Sequence, residues 1–397
     1  MSEKTCISLN SYVLTKTGYI TLDNLVKNNN IDLSSKETSF EVKTKICNKD
    51  GKLASIKYLN NNGKKKLFKI KTATGIEVEA TKEHIFYVLN ENGFIVSKKL
   101  KNLNVGDILL SRAGDRISND RRLITPDDAY ALGFLQSIDF VSMSDEDEIK
   151  IDVPDSILDR VKDILENYFD IIGFDDTTIY IKNRKDYLEN FFEEFDFSND
   201  YISKKILSSN IDIQLEYLRG FFDTNVLFEE SSIAKKVLNR RLFIEIYLLL
   251  KNIGIIAILD DENLVIKGRE ILNFYNQVGF YNYLYECNIN NVTISEEDFF
   301  MIPYIQNIVK AYYDSIEIKD KKFIIDDNFK YTRENIEEII SNKGNKDLRN
   351  LLKTLISPNL CYEEIMEIIE IPRDYSFDFD LEENETYLVN SFLTHNK

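Results

Sequence analysis

Histidine is almost missing. Only His84 and His395 carry an imidazole in 397 residues, so any acid or base that titrates near neutral pH without a large shift is one of these two. Cysteine is sparse as well: Cys6, Cys47, Cys287 and Cys361 stand far apart, with no Cys-x-x-Cys pair. That spacing excludes a disulfide scaffold and a zinc knuckle, and it fits a reducing, cytoplasmic setting. No apolar run approaches the ~20 residues of a membrane span, and the opening Met1-Ser2-Glu3-Lys4-Thr5 lacks a signal-peptide core, so a soluble chain without membrane contact is expected. Positive charge is short: 50 Lys and Arg against 67 Asp and Glu leave −17. Such a balance opposes an electrostatic grip on nucleic acid, whose phosphates supply most of the affinity. Tryptophan is absent altogether, which excludes no class of function.

What is present is enough for two or three compact domains, since single cores rarely grow beyond ~250–300 residues. Up to about Asp115, β-branched and aromatic residues alternate with polar ones, which predicts short strands over residues 11–14, 18–22, 66–72, 76–80, 85–89, 94–96 and 108–110. Asn-Asn-Gly, Thr-Gly and Asn-Gly sequences punctuate them as turns. From Thr125 the pattern changes. Thr125-Pro126-Asp127-Asp128 is a helix start with Thr125 as N-cap and Pro126 at the first helical position. Helices are expected over 155–169, 184–195, 215–222 and 241–253, a strand over 178–181, and a hairpin over 254–259 and 263–266. Residues 319–356 read as charged helix without an assignable role, and strand-like alternation returns over 376–396. A β-domain interrupted by an α+β insertion accounts for this order, because insertions succeed at exposed loop tips.

Four stretches carry chemistry. Cys6-Ile7-Ser8-Leu9-Asn10-Ser11-Tyr12-Val13-Leu14 opens the chain. Gly75-Ile76-Glu77-Val78-Glu79-Ala80-Thr81-Lys82-Glu83-His84 ends a strand on Thr-x-x-His, and Leu103-Asn104-Val105-Gly106-Asp107 follows it. Phe377-Asp378-Phe379-Asp380-Leu381-Glu382, with Thr386-Tyr387-Leu388-Val389-Asn390-Ser391-Phe392-Leu393-Thr394-His395-Asn396, closes the chain. A lone Thr-x-x-His or a single buried cysteine is usually ordinary core. Here, however, both histidines fall inside these stretches, Cys6 lies near one end, and His395-Asn396 lies one residue from the other. Together they resemble the motif blocks of inteins and related Hint-fold domains, over roughly the first 115 and the last 35 residues.

That resemblance implies an all-β, horseshoe-like Hint splicing domain and autocatalytic protein splicing. It implies that Cys6 Sγ attacks the Thr5 carbonyl, that Thr81 and His84 hold the Thr5-Cys6 bond, and that His84 is the general acid, a role suited to an imidazole titrating near pH 7. Asp378 would assist the thiol, His395 would polarise the final carbonyl, and Asn396 would cyclise to a succinimide. Splicing of this kind needs no cofactor, and its partner is the flanking host protein. Residues 1–5 would be an upstream remnant or tag, and residue 397 a downstream remnant. Two positions depart from the family pattern. Glu385 stands where histidine is common, which leaves carbonyl activation to His395 or water and should slow C-terminal cleavage. Lys397 stands where the family has Cys, Ser or Thr, so the chain is expected to cleave its flanks without joining them by the standard transesterification.

Within the insert, Tyr130-Ala131-Leu132-Gly133-Phe134-Leu135-Gln136-Ser137-Ile138-Asp139 and Tyr217-Leu218-Arg219-Gly220-Phe221-Phe222-Asp223-Thr224-Asn225 resemble the two LAGLIDADG helices of homing endonucleases. Their glycines lie 87 residues apart, which suggests a two-repeat domain. Hard Mg²⁺ requires carboxylate oxygens at the helix ends. The ligand positions, five residues past each glycine, fall on Ile138 and Asn225, with Asp139 one residue late, so Asp139 is the sole candidate metal ligand and Mg²⁺ matters only if the nuclease is active. Residues 116–358 hold 29 basic and 45 acidic side chains, −16 net, against +7 for 1–115 and −8 for 359–397. Double-stranded DNA is therefore a disfavoured partner, a monomer is expected, and the nuclease is expected to be lost. The reading from another class is a DNA-binding or active LAGLIDADG endonuclease, which would reveal itself by salt-dependent DNA binding.

Overall fold

The computed structural model describes residues 5–35, 38–140, 148–289, 301–317, 325, 329–382 and 385–395. The chain divides into two compact units, one holding residues up to 15, 20–115 and 299 onward, the other 16–19 and 116–298. Residues 299–358 group with the terminal segments by contact, so the second unit is shorter than the insert outlined by sequence. Among the described residues, no helix is long and apolar enough to cross a membrane.

In the first unit, both ends of the sequence share one large antiparallel sheet. Its spine is the 20-residue strand Leu53–Thr72 against the 22-residue strand Leu360–Leu381, with Ile70 opposite Ile368 and Leu59 opposite Phe379. Leu59, Leu67, Ile70, Ile365, Phe377 and Phe379 are wholly buried. Alternating apolar residues of this kind commit one face of each strand to the core, and that fixes the register. The sequence predicts strand only from Lys66, because Asn60-Asn61-Asn62-Gly63 reads as a turn. The strand continues through that stretch because Asn60 and Asn61 pair with Asp378 and Phe377. The Asn61 side chain meanwhile accepts the Gly63 N–H at 2.9 Å and donates to the Leu33 carbonyl at 3.3 Å.

Buried polar contacts tie the two segments. The Glu363 carboxylate, 3% exposed, accepts the hydroxyls of Thr72, Thr74 and Ser111 at 2.8, 2.6 and 2.7 Å. The strand Ile7–Ser8 lies between Leu360–Leu381 and Glu77–Ala80, with Ile7 opposite both Phe377 and Ala80. At the other end Thr386–Val389 and Phe392–His395 form a hairpin. Its turn puts Asn390 and Ser391 at φ 48° and 72°, a left-handed geometry that Asn tolerates better than most residues. The Asn390 side chain accepts the Tyr12 N–H at 2.6 Å and donates to the Glu77 carbonyl at 2.5 Å. The last strand then pairs with Ile85–Leu89, setting His395 opposite Ile85 and Thr394 opposite Phe86.

The sheet is not the whole of this unit. Leu22–Asn28 is a helix capped by Thr21, whose hydroxyl accepts the Asn24 N–H at 3.1 Å. The helices Gln306–Asp314, Arg333–Ser341 and Lys346–Leu355 also belong to it. Tyr312 links them by donating to the Asn342 carbonyl at 2.6 Å and accepting Arg349 Nε at 2.9 Å. An all-β description therefore fits its site-bearing sheet but not the unit as a whole.

The second unit is α+β, with a sheet of Glu148–Asp152, Thr178–Lys182 and Ile171–Phe174 and another of Val226–Phe228, Ser232–Lys236, Asn263–Lys267 and Ile258–Asp260. Its centre is the helix pair Pro126–Ser137 and Ile211–Phe222. The first helix has the expected Thr125 cap, completed by Asp128 as a reciprocal capping box. A Cβ on Gly133 would lie 2.0 Å from the Tyr217 carbonyl oxygen, and one on Gly220 would lie 2.1 Å from that of Tyr130. Side chains repeat this symmetry. Tyr130 donates to Asp223 Oδ2 at 2.7 Å, Tyr217 donates to Gln136 Oε1, and the Ser137 and Thr224 hydroxyls meet each other. Each of these partners has its counterpart 87 residues along the chain, so the two helices are related by an approximate twofold exchange.

Candidate functional site

Strand pairing in the first unit brings the chemical side chains together. Cys6 is wholly buried just before the strand Ile7–Ser8. Ile7 pairs with Phe377 and Ser8 with Ser376, and one more step of this antiparallel register sets Cys6 across from Asp378. Thr81 holds the Cys6 backbone on both sides. Its hydroxyl accepts the Cys6 N–H at 3.0 Å, and its own N–H donates to the Cys6 carbonyl at 2.9 Å. The Thr81 carbonyl in turn accepts the His84 N–H at 2.9 Å. This short turn gives the Thr-x-x-His spacing its geometric meaning.

His84 is wholly buried, and among the described residues neither ring nitrogen has a hydrogen-bond partner. Burial pushes its pKa down to about 3, with the His395 charge adding to the shift. The expected imidazole titrating near neutrality is thus replaced by a neutral ring at pH 7, because a charged one would be stripped of water. Phe86 and Tyr387 set their rings across it at centroid distances of 5.1 and 6.2 Å, in edge-to-face geometry. Leaving two buried polar atoms unpaired costs roughly 1–3 kcal/mol apiece.

Asp378 is 8% exposed on its long strand. Tyr387, wholly buried, has its phenol pushed well above the ordinary value by burial, then by the charges of Asp378 and Cys6. It therefore stands near both. Sequence reading passed over Tyr387, which the strand Thr386–Val389 does not single out because all four of its residues are buried. His395 ends the last strand, Nε2 3.7 Å from Glu385 Oε2 and its ring 6.4 Å from that of Tyr87. Cys6, Thr81, His84, Asp378 and His395 thus converge in one unit. Asn396 and Lys397 lie outside the described residues.

Asp139 is elsewhere. It follows the first helix of the second unit at φ 59°, and its carboxylate accepts from the Asn199 amide. With Ile138 and Asn225 it lines a cavity of about 550 Å³, together with Gln136, Asn199 and Lys236. The neighbouring carboxylate Asp223 is consumed by Tyr130 and by the N–H groups of Tyr281 and Asn282 at 3.0 and 3.1 Å. Among the described residues, no group of three or more His, Cys, Asp or Glu could hold a metal ion. An isoleucine, an amide and one engaged carboxylate do not fit Mg²⁺, which demands octahedral oxygen donors.

The profile of the family described as "Intein splicing domain" matches residues 13–396. The chain is 28% identical over 243 residues to the replication factor C small subunit of Pyrococcus furiosus, a match that covers 58% of this chain and 27% of that protein. It thus spans about a quarter of that curated relative's length. Similar solved structures include the TvoVMA intein, at 24% identity and a TM-score of 0.24, covering 28% of this chain and 71% of that one. They also include the transcription factor IIB Mvu mini-intein, at 15% identity and a TM-score of 0.23, covering 28% of this chain and 70% of that one.

Proposed function

The chain belongs to the intein splicing domain family, and from that premise we propose how its own residues carry out self-processing. Cys6 Sγ adds to the Thr5 carbonyl carbon, and the Thr5-Cys6 amide gives way to a thioester. The thiol proton passes to the Asp378 carboxylate, while the departing nitrogen takes a proton through the His84 ring and becomes the free amine of Cys6. His84 does this from its neutral state. As one ring N–H passes to the departing nitrogen, the other ring nitrogen takes up the proton that the thiol gave to Asp378, so the imidazole starts and ends neutral. Thr81 fixes the peptide while the bond rearranges.

At the far end the Asn396 side-chain nitrogen closes on its own backbone carbonyl carbon. A succinimide forms, the bond to Lys397 breaks, and the leaving amine takes up the proton that the attacking amide gives up, with His395 as the relay. Lys397 offers neither hydroxyl nor thiol to receive the upstream acyl group. Cleavage at both ends, rather than ligation, is the expected outcome of this sequence.

For the second unit we propose a LAGLIDADG-type domain that has lost its nuclease. The reciprocal glycine crossing supports the descent from a repeated helix, and Ile138 and Asn225 at the helix ends support the loss. The observation that carries the splicing reading is the Thr81 clamp on Cys6 beside a buried imidazole whose two nitrogens have no hydrogen-bond partner among the described residues. The test is mass spectrometry of a precursor with flanking domains at both ends. Thiol-induced release of the upstream domain that is lost in Cys6→Ala, and release of the downstream domain that is lost in Asn396→Ala, are expected. A precursor that stays intact sinks the reading, and a ligated product sinks the assignment of cleavage alone.

A further inference from the structure

The residue next to the final hairpin does more than depart from a family pattern. Glu385 immediately precedes the strand Thr386–Val389, and Thr386 pairs with His395 across the hairpin. That register carries the Glu385 carboxylate to the His395 ring, Oε2 to Nε2 3.7 Å. The contact sits at the open end of a hairpin whose turn is pinned to two other strands through Asn390. On another side His395 meets the Tyr87 ring edge, over which Lys49 Nζ sits 5.7 Å from the centroid, and its charge is felt by the neutral, buried His84. Among these neighbours Glu385 is the anion.

We propose that Glu385 is a positioning residue for His395 in C-terminal cleavage. The carboxylate faces one ring nitrogen at 3.7 Å, leaving the other for the peptide bond after Asn396, and its negative charge offsets the charge that develops on the ring while the proton is being relayed. In that step the Asn396 side-chain nitrogen bonds to its own carbonyl carbon, the bond to Lys397 breaks, and the proton lost by the attacking nitrogen reaches the leaving amine through His395. The carboxylate changes no bond of its own. It stands, with its charge, at the position where the family commonly has a histidine.

The assignment rests on the splicing reading, and it is separable from it. The Glu385 side chain is 51% exposed, and an exposed ion pair adds little to stability, so its substitution leaves the hairpin folded. A full-length precursor with flanks at both ends is followed for C-terminal release and, in the same sample, for thiol-induced N-terminal release. Glu385→Gln, which keeps shape and removes charge, is expected to slow C-terminal release about tenfold, as for loss of one charge-assisted contact. N-terminal release should stay within about twofold of the parent, a change of at most ~0.4 kcal/mol. Glu385→Asp is expected to recover part of the C-terminal rate, and Glu385→Ala is not. Equal slowing at both ends, or no slowing by Glu385→Gln, overturns the assignment while leaving the splicing reading in place. An unsubstituted precursor that cleaves at neither end overturns both.

Discussion

Thr81 and Cys6 exchange hydrogen bonds in both directions, Cys6 N–H to Thr81 Oγ1 at 3.0 Å and Thr81 N–H to the Cys6 carbonyl at 2.9 Å. The Thr81 hydroxyl also donates to the Cys6 carbonyl at 3.4 Å, and it can be removed without undoing the pairing of the two backbones. Thr81→Ala should leave the fold intact and remove the short contact, worth about 0.5–1.5 kcal/mol, together with this longer one. If that contact is made fully in the transition state, thioester formation slows up to about tenfold. The rate of thiol-induced N-terminal release measures it, and an unchanged rate would remove Thr81 from the mechanism.

Acid should destabilise the first unit through His84. Its pKa is about 3 when folded against an ordinary 6.5, so below pH 6.5 the unfolded chain binds a proton that the folded chain refuses. Stability therefore falls as pH drops from 6.5 toward 3, by about 2 kcal/mol at pH 5 from this group. Urea unfolding at pH 7 and pH 5 checks the sign. In His84→Asn, the loss between those two values should shrink by about that amount.

The two helices of the second unit offer a test in which propensity and packing disagree. Glycine to alanine within a helix normally gains about 1 kcal/mol. A Cβ on Gly133, though, would sit 2.0 Å from a backbone oxygen of the facing helix, and overpacking of this kind costs about 1–3 kcal/mol. Gly133→Ala and Gly220→Ala should each lower the thermal midpoint. A rise in either would show that the helices do not cross at these residues.

Nuclease activity is expected to be absent. Plasmid bearing the uninterrupted flanking coding sequence, incubated with the protein and Mg²⁺, should remain supercoiled at any salt concentration. Nicking that disappears in Asp139→Ala would reverse this expectation and make that carboxylate a working metal ligand.

Much of the site was legible because its chemistry depends on rare residue types. With two histidines and a cysteine near one end, few arrangements were open, and the chain brings Cys6, Thr81, His84, Asp378 and His395 into one unit. The start of the helix Pro126–Ser137 was legible for a local reason, the Thr125 cap with Pro126 behind it. What escaped was long-range. Nothing in Asn60-Asn61-Asn62-Gly63 says that it runs on as strand, because its partner lies more than 300 residues away in sequence. Asn390 reads as a turn residue, but its contacts with Tyr12 and Glu77 depend on three segments meeting. Tyr387 looks like any buried aromatic until the charges beside it are known. The imidazole of His84 could be found by counting, whereas its depressed basicity could not, since burial is a property of the assembled fold.

The pairing of Leu53–Thr72 with Leu360–Leu381 also sets a schedule. Ribosomes make Cys6 first, while Asp378, Tyr387 and His395 emerge last, and the sheet that gathers them cannot close before then. During the whole of synthesis Cys6 is therefore present without the strand that pairs beside it, and the sheet around it is completed only once residues 360–395 have emerged.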